Sequence, residues 1–400
     1  MRAAQRQKII VTTNSAWTLY TFRLSLILAL KERGHDVVAA APYDDQAEKF
    51  KEHGIRFLDV AIETASRNPL RELATVMAYR KVYAREKPDL IHHFSTKPIL
   101  LGGLAARLCG VPHVMNTFTG LGFSFKGQKG PLLWAMHRMA RMALPPGWRA
   151  SFQNAEDLQH FLNNGICRPD QGSLIKGSGI NTQTFAPRRQ RRDCDPVKFL
   201  MYGRLIPQKG VFEYLEAARR VRAVLEKELG AQETDRRISF VLIGGADETN
   251  STGVAQEWIS NPWTISGQSV RIEARKSGVT WLPHQEPIEP FLHEADVVVL
   301  PSYFPEGLPR SLLEAMACGK AVITTDTAGC RDTTEPGVNG FLVPPQDADA
   351  LTEAMLSMAR NPAQVTTMGK ESRRKVCAEF SDERVIADVL REYGRMGLRI

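Results

Sequence analysis

Short aliphatic strands that alternate with helices constrain the fold of this chain more than any other sequence feature. Helical patterns near 46–53, 69–85 and 99–108 separate the strands of the first half. Such alternation is typical of a parallel sheet that is covered by helices on both faces. The predicted strands of this half are Ile9–Thr12, Asp36–Ala41, Ile55–Val60, Asp89–His92, Pro112–Asn116, Ala150–Gln153 and Ser173–Ile175.

The alternation starts again after Ala186–Pro196, an arginine-rich stretch without large apolar side chains that we predict to be an interdomain linker. The strands predicted beyond it are Val197–Tyr202, Phe240–Ile243, Val279–Leu282, Val297–Leu300 and Ala321–Thr324, with a long helix at Val211–Leu229. We therefore predict an α/β fold of two doubly wound Rossmann-like domains, residues 1–185 and 196–380, facing each other across a cleft. A final helix within 381–400 is expected to pack back on the first domain.

The stretch Pro301–Ala315 is predicted to form a loop and a helix that hold a phosphate. The β-branched run Ala295–Leu300 indicates a buried strand before the loop, and Pro309 is expected to be the first residue of the helix. Free amides at a helix N-terminus bind phosphate. Glu306 precedes the helix and Glu314 lies on it, so the two carboxylates suit the sugar and the ribose of a sugar nucleotide. Spacing alone leaves open an ordinary connection with two solvated glutamates.

A second loop, Gly203–Gly210, follows the first strand of the second half. Arg204 is predicted at the carboxyl end of that strand, and Lys209 directly precedes a helix. Two fixed cations over a diphosphate would neutralise the charge that develops as it leaves a sugar carbon. Taken without the glutamates, the arginine and lysine are a weak signal, because such loop residues are usually solvated.

Composition and charge narrow the class of protein. The net charge of +8 and the isoelectric point near 9.2 favour an anionic partner. The six cysteines form no CxxC pair, which favours reduced thiols in the cytoplasm. The apolar run Ile9–Val11 is too short for a signal peptide, and Leu24–Leu30 is too short to cross a bilayer. Any membrane contact is therefore expected at the surface.

The ordered motifs of the second half resemble the retaining GT-B glycosyltransferases of family 4. The resemblance rests on Gly-Arg-Leu…Lys-Gly at 203–210, Leu-Ile-Gly-Gly at 242–245, and two glutamates eight positions apart after Leu-Pro-Ser at 300–302. Ala328–Cys330 and Asn339–Val343 also match the course of that family. The resemblance covers nearly the whole chain and is strongest between Val197 and Asp347.

The resemblance implies specific roles for the donor site. Arg204 and Lys209 would bind the donor diphosphate, and Glu306 would contact the donor sugar, so these three are the predicted catalytic residues. Glu314 would bind the ribose, and His284 would lie near the base. Further donor-binding positions are Gly203, Gly244, Gly245, Gly307 and the backbone amides of Leu308 and Arg310. Members of the family usually take UDP- or GDP-sugars and need neither a metal nor another cofactor.

The first half resembles a narrower branch, the bacterial enzymes that extend polyprenyl-diphosphate-linked sugars, and is similar to the N-acetylgalactosamine transferases that act on lipid-linked bacillosamine. The matching residues, implied to bind the acceptor, are Asn14, Ser15, Tyr20, Arg23, Thr119 and Gly120. Ser15 and Tyr20 would face the sugars. Many relatives carry a histidine where this chain has Thr117 and Thr119, which fits a mechanism in which the departing phosphate assists the acceptor hydroxyl.

Several signals keep two interpretations. The segment Gly130–Leu144 has apolar residues on one face and Arg138 and Arg141 elsewhere, so it is either a helix on a lipid surface or a helix packed on its own domain. The arginines at 188–192 either contact anionic lipid or belong to a solvated linker, and the second interpretation is favoured. The DxD spacings at 193–195 and 347–349 are interpreted as linker and helix cap, not as metal sites. His92 and His93 show no ligand spacing and are expected in the core.

The prediction is a cytoplasmic enzyme, peripheral on the inner face of the plasma membrane, that transfers an N-acetylhexosamine from a UDP-sugar to a polyprenyl-diphosphate-linked sugar. The alternatives are a GT-B sugar-nucleotide epimerase and a non-catalytic, membrane-associated nucleotide-sugar binding protein. A dehydrogenase would need G-x-G-x-x-G after the first strand, which Thr13–Ser15 cannot supply. Nucleic-acid binding is supported only by net charge, without interleaved aromatic residues, and is not expected.

Overall fold

The computed structural model describes residues 6–63, 68–122, 125, 130–188, 195–245, 267–398 and 400. Their contacts divide the chain into two compact units. The first unit comprises the described residues within Met1–Gly179, Pro305–Leu308 and Asp382–Ile400. The second comprises those within Ile180–Phe304 and Pro309–Ser381. Of the predicted linker, residues 189–194 lie outside the described ranges, as do most of the arginines at 188–192 and part of the first DxD spacing.

The first unit is built on a parallel sheet in the order β3-β2-β1-β4-β5-β6-β7. Its strands are β1 (Lys8–Thr12), β2 (Asp36–Ala41), β3 (Arg56–Asp59), β4 (Leu90–Phe94), β5 (His113–Phe118), β6 (Arg149–Phe152) and β7 (Gly172–Leu174). Its helices are α1 (Ala16–Glu32), α2 (Lys49–Glu52), α3 (Pro69–Glu86), α4 (Gly103–Leu108, after a π-helical turn Pro98–Gly102), α5 (Pro131–Met142), α6 (Ala155–Asn163) and α15 (Asp382–Arg395).

Alternate residues of each strand face opposite helical layers, as a doubly wound sheet requires. Ile9 and Val11 pack in a core with α1, α2 and α15, whereas Ile10 packs with α3 and α4 on the other face. Residues 382–400, which the sequence analysis assigned to a separate final helix, are therefore part of the first unit. Val385 and Tyr393 of α15 are buried in the same core as Ile9.

The second unit has a parallel sheet in the order β10-β9-β8-β11-β12-β13. Its strands are β8 (Val197–Tyr202), β9 (Ile238–Ile243), β10 (Thr280–Leu282), β11 (Val297–Leu300), β12 (Ala321–Thr325) and β13 (Gly340–Val343). Its helices are α7 (Val211–Leu229, after a 3-10 turn Pro207–Lys209), α8 (Ala231–Arg237), α9 (Gly267–Lys276), α10 (Glu289–Glu294), α11 (Arg310–Ala317), α12 (Cys330–Thr333), α13 (Ala348–Arg360) and α14 (Pro362–Glu379).

Both sheets reverse their winding direction at one point, between β1 and β4 in the first unit and between β8 and β11 in the second. In open α/β sheets, ligands bind at the carboxyl ends of the strands that flank such a point. The predicted α/β fold with two doubly wound units is confirmed. One detail is wrong: Pro309 is the N-cap of α11, with an extended ψ of 115°, and the first helical residue is Arg310.

Candidate functional site

The loops after β8 and β11 contact each other at the reversal point of the second unit. The carbonyl oxygen of Gln208 accepts hydrogen bonds from the amides of Tyr303 at 2.8 Å and Phe304 at 3.0 Å. Gly210 has a φ of +79°, and a Cβ on it would lie 2.2 Å from the carbonyl oxygen of Pro301. Only glycine fits this approach, so the two loops are held together by backbone atoms.

The two predicted diphosphate cations lie at this junction. Arg204 is exposed directly after β8. Lys209 ends the 3-10 turn, and its Nζ lies 5.9 Å from the centroid of the Phe304 ring, a residue of the loop after β11. The amino end of α11 follows that loop, and its first turn contains no acidic residue. The second unit therefore brings two cations and a helix N-terminus, both suited to a diphosphate, to one edge of its sheet.

Glu314 is held in one orientation on α11. Arg310 donates from Nε to its carboxylate at 2.7 Å, and the hydroxyl of Tyr202 donates to the other oxygen at 2.9 Å. Burial raises the pKa of Tyr202 well above its ordinary value, and the nearby Glu314 carboxylate adds to this, so the hydroxyl keeps its proton. A carboxylate has about four acceptor positions, so the Glu314 carboxylate retains capacity for the hydroxyls of a ribose.

The remaining residues predicted to bind the donor in the second unit follow neighbouring strands. The amide of Gly203 donates to the carbonyl of Ile243, and a Cβ on Gly244 would lie 2.1 Å from the carbonyl oxygen of Gly203. Gly245 is exposed, and a Cβ on it would lie 4.0 Å from the Cβ of His284. The side chain of His284 is 73% exposed and available to a planar base. The structure thus collects Gly203, Gly244, Gly245 and His284 at the carboxyl ends of β8, β9 and β10.

The predicted domain assignment needs a correction at Glu306, Gly307 and Leu308. The sequence analysis placed them in the second domain, but by their contacts Pro305–Leu308 belong to the first unit. Asn154 donates from Nδ2 to the carbonyl oxygens of Glu306 at 3.2 Å and Gly307 at 3.4 Å. The local sequence of a loop does not reveal such long-range partners.

The predicted acceptor residues divide into two groups. Asn14, Ser15, Thr119 and Gly120 lie in loops at the carboxyl edge of the first sheet, and the Ser15 hydroxyl caps α1 by accepting from the amide of Thr18 at 3.0 Å.

Tyr20 and Arg23 instead contact the interior of the same unit. The Tyr20 hydroxyl lies 3.2 Å from Nε2 of His53, and the guanidinium of Arg23, 5% exposed, lies 3.9 Å from the Phe94 ring centroid. Arg23 is buried, so direct contact with an acceptor would require its side chain to leave the Phe94 ring, whereas Tyr20 is half-buried. The acceptor roles of both residues stay predictions.

The adjacent histidines of β4 are buried, as expected, and pair with neighbouring polar groups. Nδ1 of His93 lies 2.9 Å from the Asn116 side-chain oxygen, and Nε2 of His92 lies 2.7 Å from the hydroxyl of Thr117. Burial lowers the pKa of His93 to about 4 and that of His92 well below its ordinary value. Thr117 of β5 is therefore bonded to a neutral imidazole.

Helix α5 packs on its own unit and also exposes apolar side chains, so it has features of both interpretations given for this segment. Met136 and Met139 pack against the core of the first unit. Leu132 and Trp134 are exposed by 45% and 68%, and Met142 is exposed as well. Nowhere in the described ranges is a helix both long and apolar enough to cross a membrane.

Metal ligands do not cluster in the part of the chain that the structure describes: it contains no group of three or more His, Cys, Asp or Glu side chains placed to hold an ion. Asp347 accepts from the amide of Ala350 at 2.9 Å and caps α13, as expected. Metal-independent chemistry stays a prediction.

Sequence reasoning missed four polar residues of these sites: Tyr202, Gln153, Asn154 and Asp157. Tyr202, Gln153 and Asn154 lie at or directly after the carboxyl end of a predicted strand, which is a signal that could have identified them. Asp157 lies one turn into a helix, and only its hydrogen bond to the amide of Leu121, at 3.1 Å, reveals its position.

Comparison with known proteins places both halves among glycosyltransferases. The family described as "Glycosyl transferase 4-like" matches residues 8–145, and "Glycosyl transferases group 1" matches residues 196–361. The chain is 28% identical over 373 residues to the N,N'-diacetylbacillosaminyl-diphospho-undecaprenol alpha-1,3-N-acetylgalactosaminyltransferase of Campylobacter jejuni, covering 87% of this chain and 90% of that protein.

A second relative and a solved structure extend the comparison. The UDP-Gal:alpha-D-GlcNAc-diphosphoundecaprenol alpha-1,3-galactosyltransferase of Escherichia coli is 26% identical over 322 residues, 78% of this chain and 76% of that protein. The crystal structure of a glycosyltransferase from Rickettsia africae superimposes with a TM-score of 0.77 over 98% of this chain and 99% of that one, at 17% identity. At that identity the likeness shows the fold alone.

Proposed function

This chain belongs to family 4 of the GT-B glycosyltransferases, and from that premise we propose that it transfers an N-acetylhexosamine from a UDP-sugar to a polyprenyl-diphosphate-linked sugar, with retention of anomeric configuration. The observation that carries the proposal is the junction of the loops after β8 and β11. There Gln208 bonds to Tyr303 and Phe304, so that Lys209 lies beside the segment leading to α11.

The donor assignment follows from the chemistry of that junction. A UDP-sugar carries a diphosphate, which needs cations and amides, and a ribose, which needs a fixed hydrogen-bond acceptor. Arg204 and Lys209 supply the positive charge, and Glu314 supplies the acceptor, already oriented by Arg310 and Tyr202. The choice of UDP is supported by the Escherichia coli relative, which is named for a UDP-Gal donor.

The acceptor assignment rests on the two relatives described above, both of which are named for acceptors linked to undecaprenol through a diphosphate. We assign the acceptor sugars to the loops at the carboxyl edge of the first sheet, which contain Asn14, Ser15, Thr119 and Gly120. The N-acetylhexosamine is the sugar named for the Campylobacter jejuni relative.

The proposed reaction conserves atoms and charge without a cofactor. The bond between the anomeric carbon and the diphosphate oxygen breaks, and the acceptor hydroxyl oxygen bonds to the same face of that carbon. The hydroxyl proton passes to an oxygen of the departing diphosphate. Arg204 and Lys209 stabilise the charge on that diphosphate, and Glu306 orients the sugar. The products are UDP and a lipid-linked saccharide that is one sugar longer.

A lipid-linked acceptor lies in a bilayer, so the enzyme must bind it at the membrane surface. We propose that α5 contacts the inner face of the plasma membrane. The helix presents Leu132 and Trp134 to solvent and contains Arg138 and Arg141 but no acidic residue. Exposed apolar side chains together with positive charge bind an anionic lipid surface.

The experiment that tests the function is a panel of radiolabelled UDP- and GDP-sugars, each incubated with purified protein and undecaprenyl-diphosphate-linked saccharides. We expect label to enter the lipid phase with a UDP-N-acetylhexosamine. Release of an epimerised sugar nucleotide without acceptor would favour the epimerase alternative instead. Donor binding without turnover on any acceptor would favour the non-catalytic binding protein. Both family matches and both relatives are transferases, which favours the first outcome.

A further inference from the structure

The segment Pro305–Leu308 is fixed by backbone contacts within the first unit. A Cβ on Gly307 would lie 2.3 Å from both the carbonyl oxygen of Thr119 and Oε1 of Gln153. A Cβ on Gly120 would lie 2.7 Å from the amide nitrogen of Gly307. Neither glycine can carry a side chain without moving its neighbour, so the two loops are in direct backbone contact.

Asn154 supplies the side-chain hydrogen bonds that hold this segment. Its Nδ2 lies 3.2 Å from the carbonyl oxygen of Glu306 and 3.4 Å from that of Gly307. Asn154 is 1% exposed, so its amide is shielded from water that could replace these carbonyls. Hydrogen bonds between buried groups are costly to remove, because each unpaired group keeps its desolvation penalty.

The orientation of the Asn154 amide is set by Asp157. Oδ1 of Asn154 accepts from the backbone amide of Asp157 at 2.8 Å, and this hydrogen bond caps α6. Nδ2 of Asn154 must therefore point towards Glu306 and Gly307. Nδ2 also donates to the Asp157 carboxylate at 3.0 Å, and that carboxylate accepts from the amide of Leu121. Asp157 is 1% exposed. The pair therefore ties the start of α6 to the loop after β5 and to Glu306.

We propose that Asn154, oriented by Asp157, is a positioning residue for sugar transfer. It fixes the backbone of Glu306 and Gly307, so that the Glu306 carboxylate meets the donor sugar in one geometry. The inference rests on the proposed function for the role of Glu306. The side-chain contacts assigned to the diphosphate and the ribose belong to Arg204, Lys209 and Glu314, so loss of Asn154 affects the transfer step more than nucleotide binding.

The test compares Asn154→Ser with Asn68→Ser. Serine keeps an oxygen that caps a helix in both variants, but in place of Asn154 it is too short to donate to Glu306 and Gly307. Asn68 is the matched control, because it caps α3 of the same unit by accepting from the amide of Leu70 at 3.0 Å. Each variant is assayed for transfer kcat, for UDP affinity by calorimetry, and for hydrogen exchange in the peptide that contains residues 303–310.

We expect Asn154→Ser to lower kcat by about 10- to 100-fold, to change the Kd for UDP less than about threefold, and to speed exchange in that peptide. Asn68→Ser should change none of the three. Gly307→Ala disturbs the same contact from the other side while leaving the Asn154 cap intact, and should reproduce the loss of kcat. It decides the question if Asn154→Ser does not fold.

Wild-type kcat in Asn154→Ser or Gly307→Ala, or unchanged exchange in the peptide, overturns the positioning role. Equal losses in Asn154→Ser and Asn68→Ser overturn it as well, because a general effect of helix capping would then explain both. Wild-type protein that transfers no sugar contradicts the proposed function instead. In that case the exchange measurement alone decides whether Asn154 holds the Glu306 segment.

Discussion

The hydroxyl of Tyr202 donates a hydrogen bond of 2.9 Å to the carboxylate of Glu314, joining the last residue of β8 to the middle of α11. The same hydroxyl lies 2.8 Å from the carbonyl oxygen of Ser311. A tyrosine of the sheet thus helps to orient the carboxylate assigned to the ribose. This contact joins two elements distant in sequence and links the packing of the second unit to the proposed donor site.

Tyr202→Phe removes that hydrogen bond while keeping the ring. A hydrogen bond to a charged group contributes about 1.5–3 kcal/mol. We expect the KM for the UDP-sugar to rise about 10-fold, with kcat changing less than about threefold, because the ribose contact is made before and during transfer alike. Steady-state kinetics over a range of donor concentrations checks this. An unchanged KM would mean that Glu314 does not depend on Tyr202 for binding the donor.

Gly210→Ala should destabilise the second unit through its contact with Pro301. Both Gly210 and Gly230 have positive φ, +79° and +83°, but a Cβ on Gly230 meets nothing within 4 Å. Gly230, with a ψ of 159°, lies in a region that other residues rarely adopt, so Gly230→Ala measures backbone strain alone, about 1–3 kcal/mol. We expect Gly210→Ala to cost about 2 kcal/mol more, from the steric overlap.

Urea unfolding of both glycine variants gives the comparison. Equal costs for Gly210→Ala and Gly230→Ala would show that the loop after β8 does not depend on its approach to Pro301. The contact between the two loops of the proposed donor site would then be weaker than the geometry indicates.

Acid should destabilise the first unit through His93. The side-chain amide of Asn116 donates to the carbonyl of Ala143 at 2.8 Å, so its oxygen faces Nδ1 of His93, and Nε2 lies 3.0 Å from the Tyr83 hydroxyl. These partners suit a neutral ring, and burial lowers its pKa from 6.5 to about 4 in the folded protein. Between pH 6.5 and about pH 4, His93 is therefore protonated in the unfolded chain but neutral in the folded protein.

Above pH 6.5 the neutral His93 makes its full contribution to the free energy of unfolding. As the pH is lowered towards about 4, protonation of this residue in the unfolded chain lowers that free energy by about 3 kcal/mol. His93→Gln removes this titration, so its stability should fall less steeply over the same interval. Urea unfolding at several pH values measures both slopes. A variant slope equal to that of the wild type would show that His93 does not contribute.

Membrane contact through α5 predicts that Leu132→Ala combined with Trp134→Ala weakens binding to anionic phospholipid vesicles. Burying one large apolar side chain contributes about 1.5–3 kcal/mol, so we expect at least about a tenfold loss in the partition coefficient. Leu229→Ala is the control, since Leu229 is also exposed, by 40%, but lies in the second unit. Vesicle sedimentation checks all three proteins. Equal binding of wild type and the double variant would exclude α5 as the contact.

The sequence predicts the parts of this structure that depend on local patterns. Short aliphatic runs such as Val297–Leu300 became strands of two parallel sheets, because such runs are buried on both faces by helices. Glycines and loop residues at strand ends identified the edge where Gly203, Gly244 and His284 gather, since carboxyl ends of parallel strands lie together.

Other parts depend on contacts between residues far apart in the chain, which local patterns do not encode. Glu306 was assigned to the second domain because its neighbours in sequence lie there, whereas Asn154 binds its carbonyl from the first unit. Arg23 was assigned to the acceptor from a motif, but its burial against Phe94 follows from the packing of α1 on the sheet. Tyr202 orients Glu314 from a predicted strand in which no functional residue was expected.

Sugar transfer by the double variant of Arg204→Ala and Lys209→Ala tests the proposed donor site itself. Removing one such stabilising group costs about 10²–10³ in kcat, so we expect a loss of at least about 10³ in kcat/KM, with thermal unfolding close to that of the wild type. Turnover of a UDP-sugar by the folded double variant at the wild-type rate would contradict the proposal that these two side chains hold the departing diphosphate.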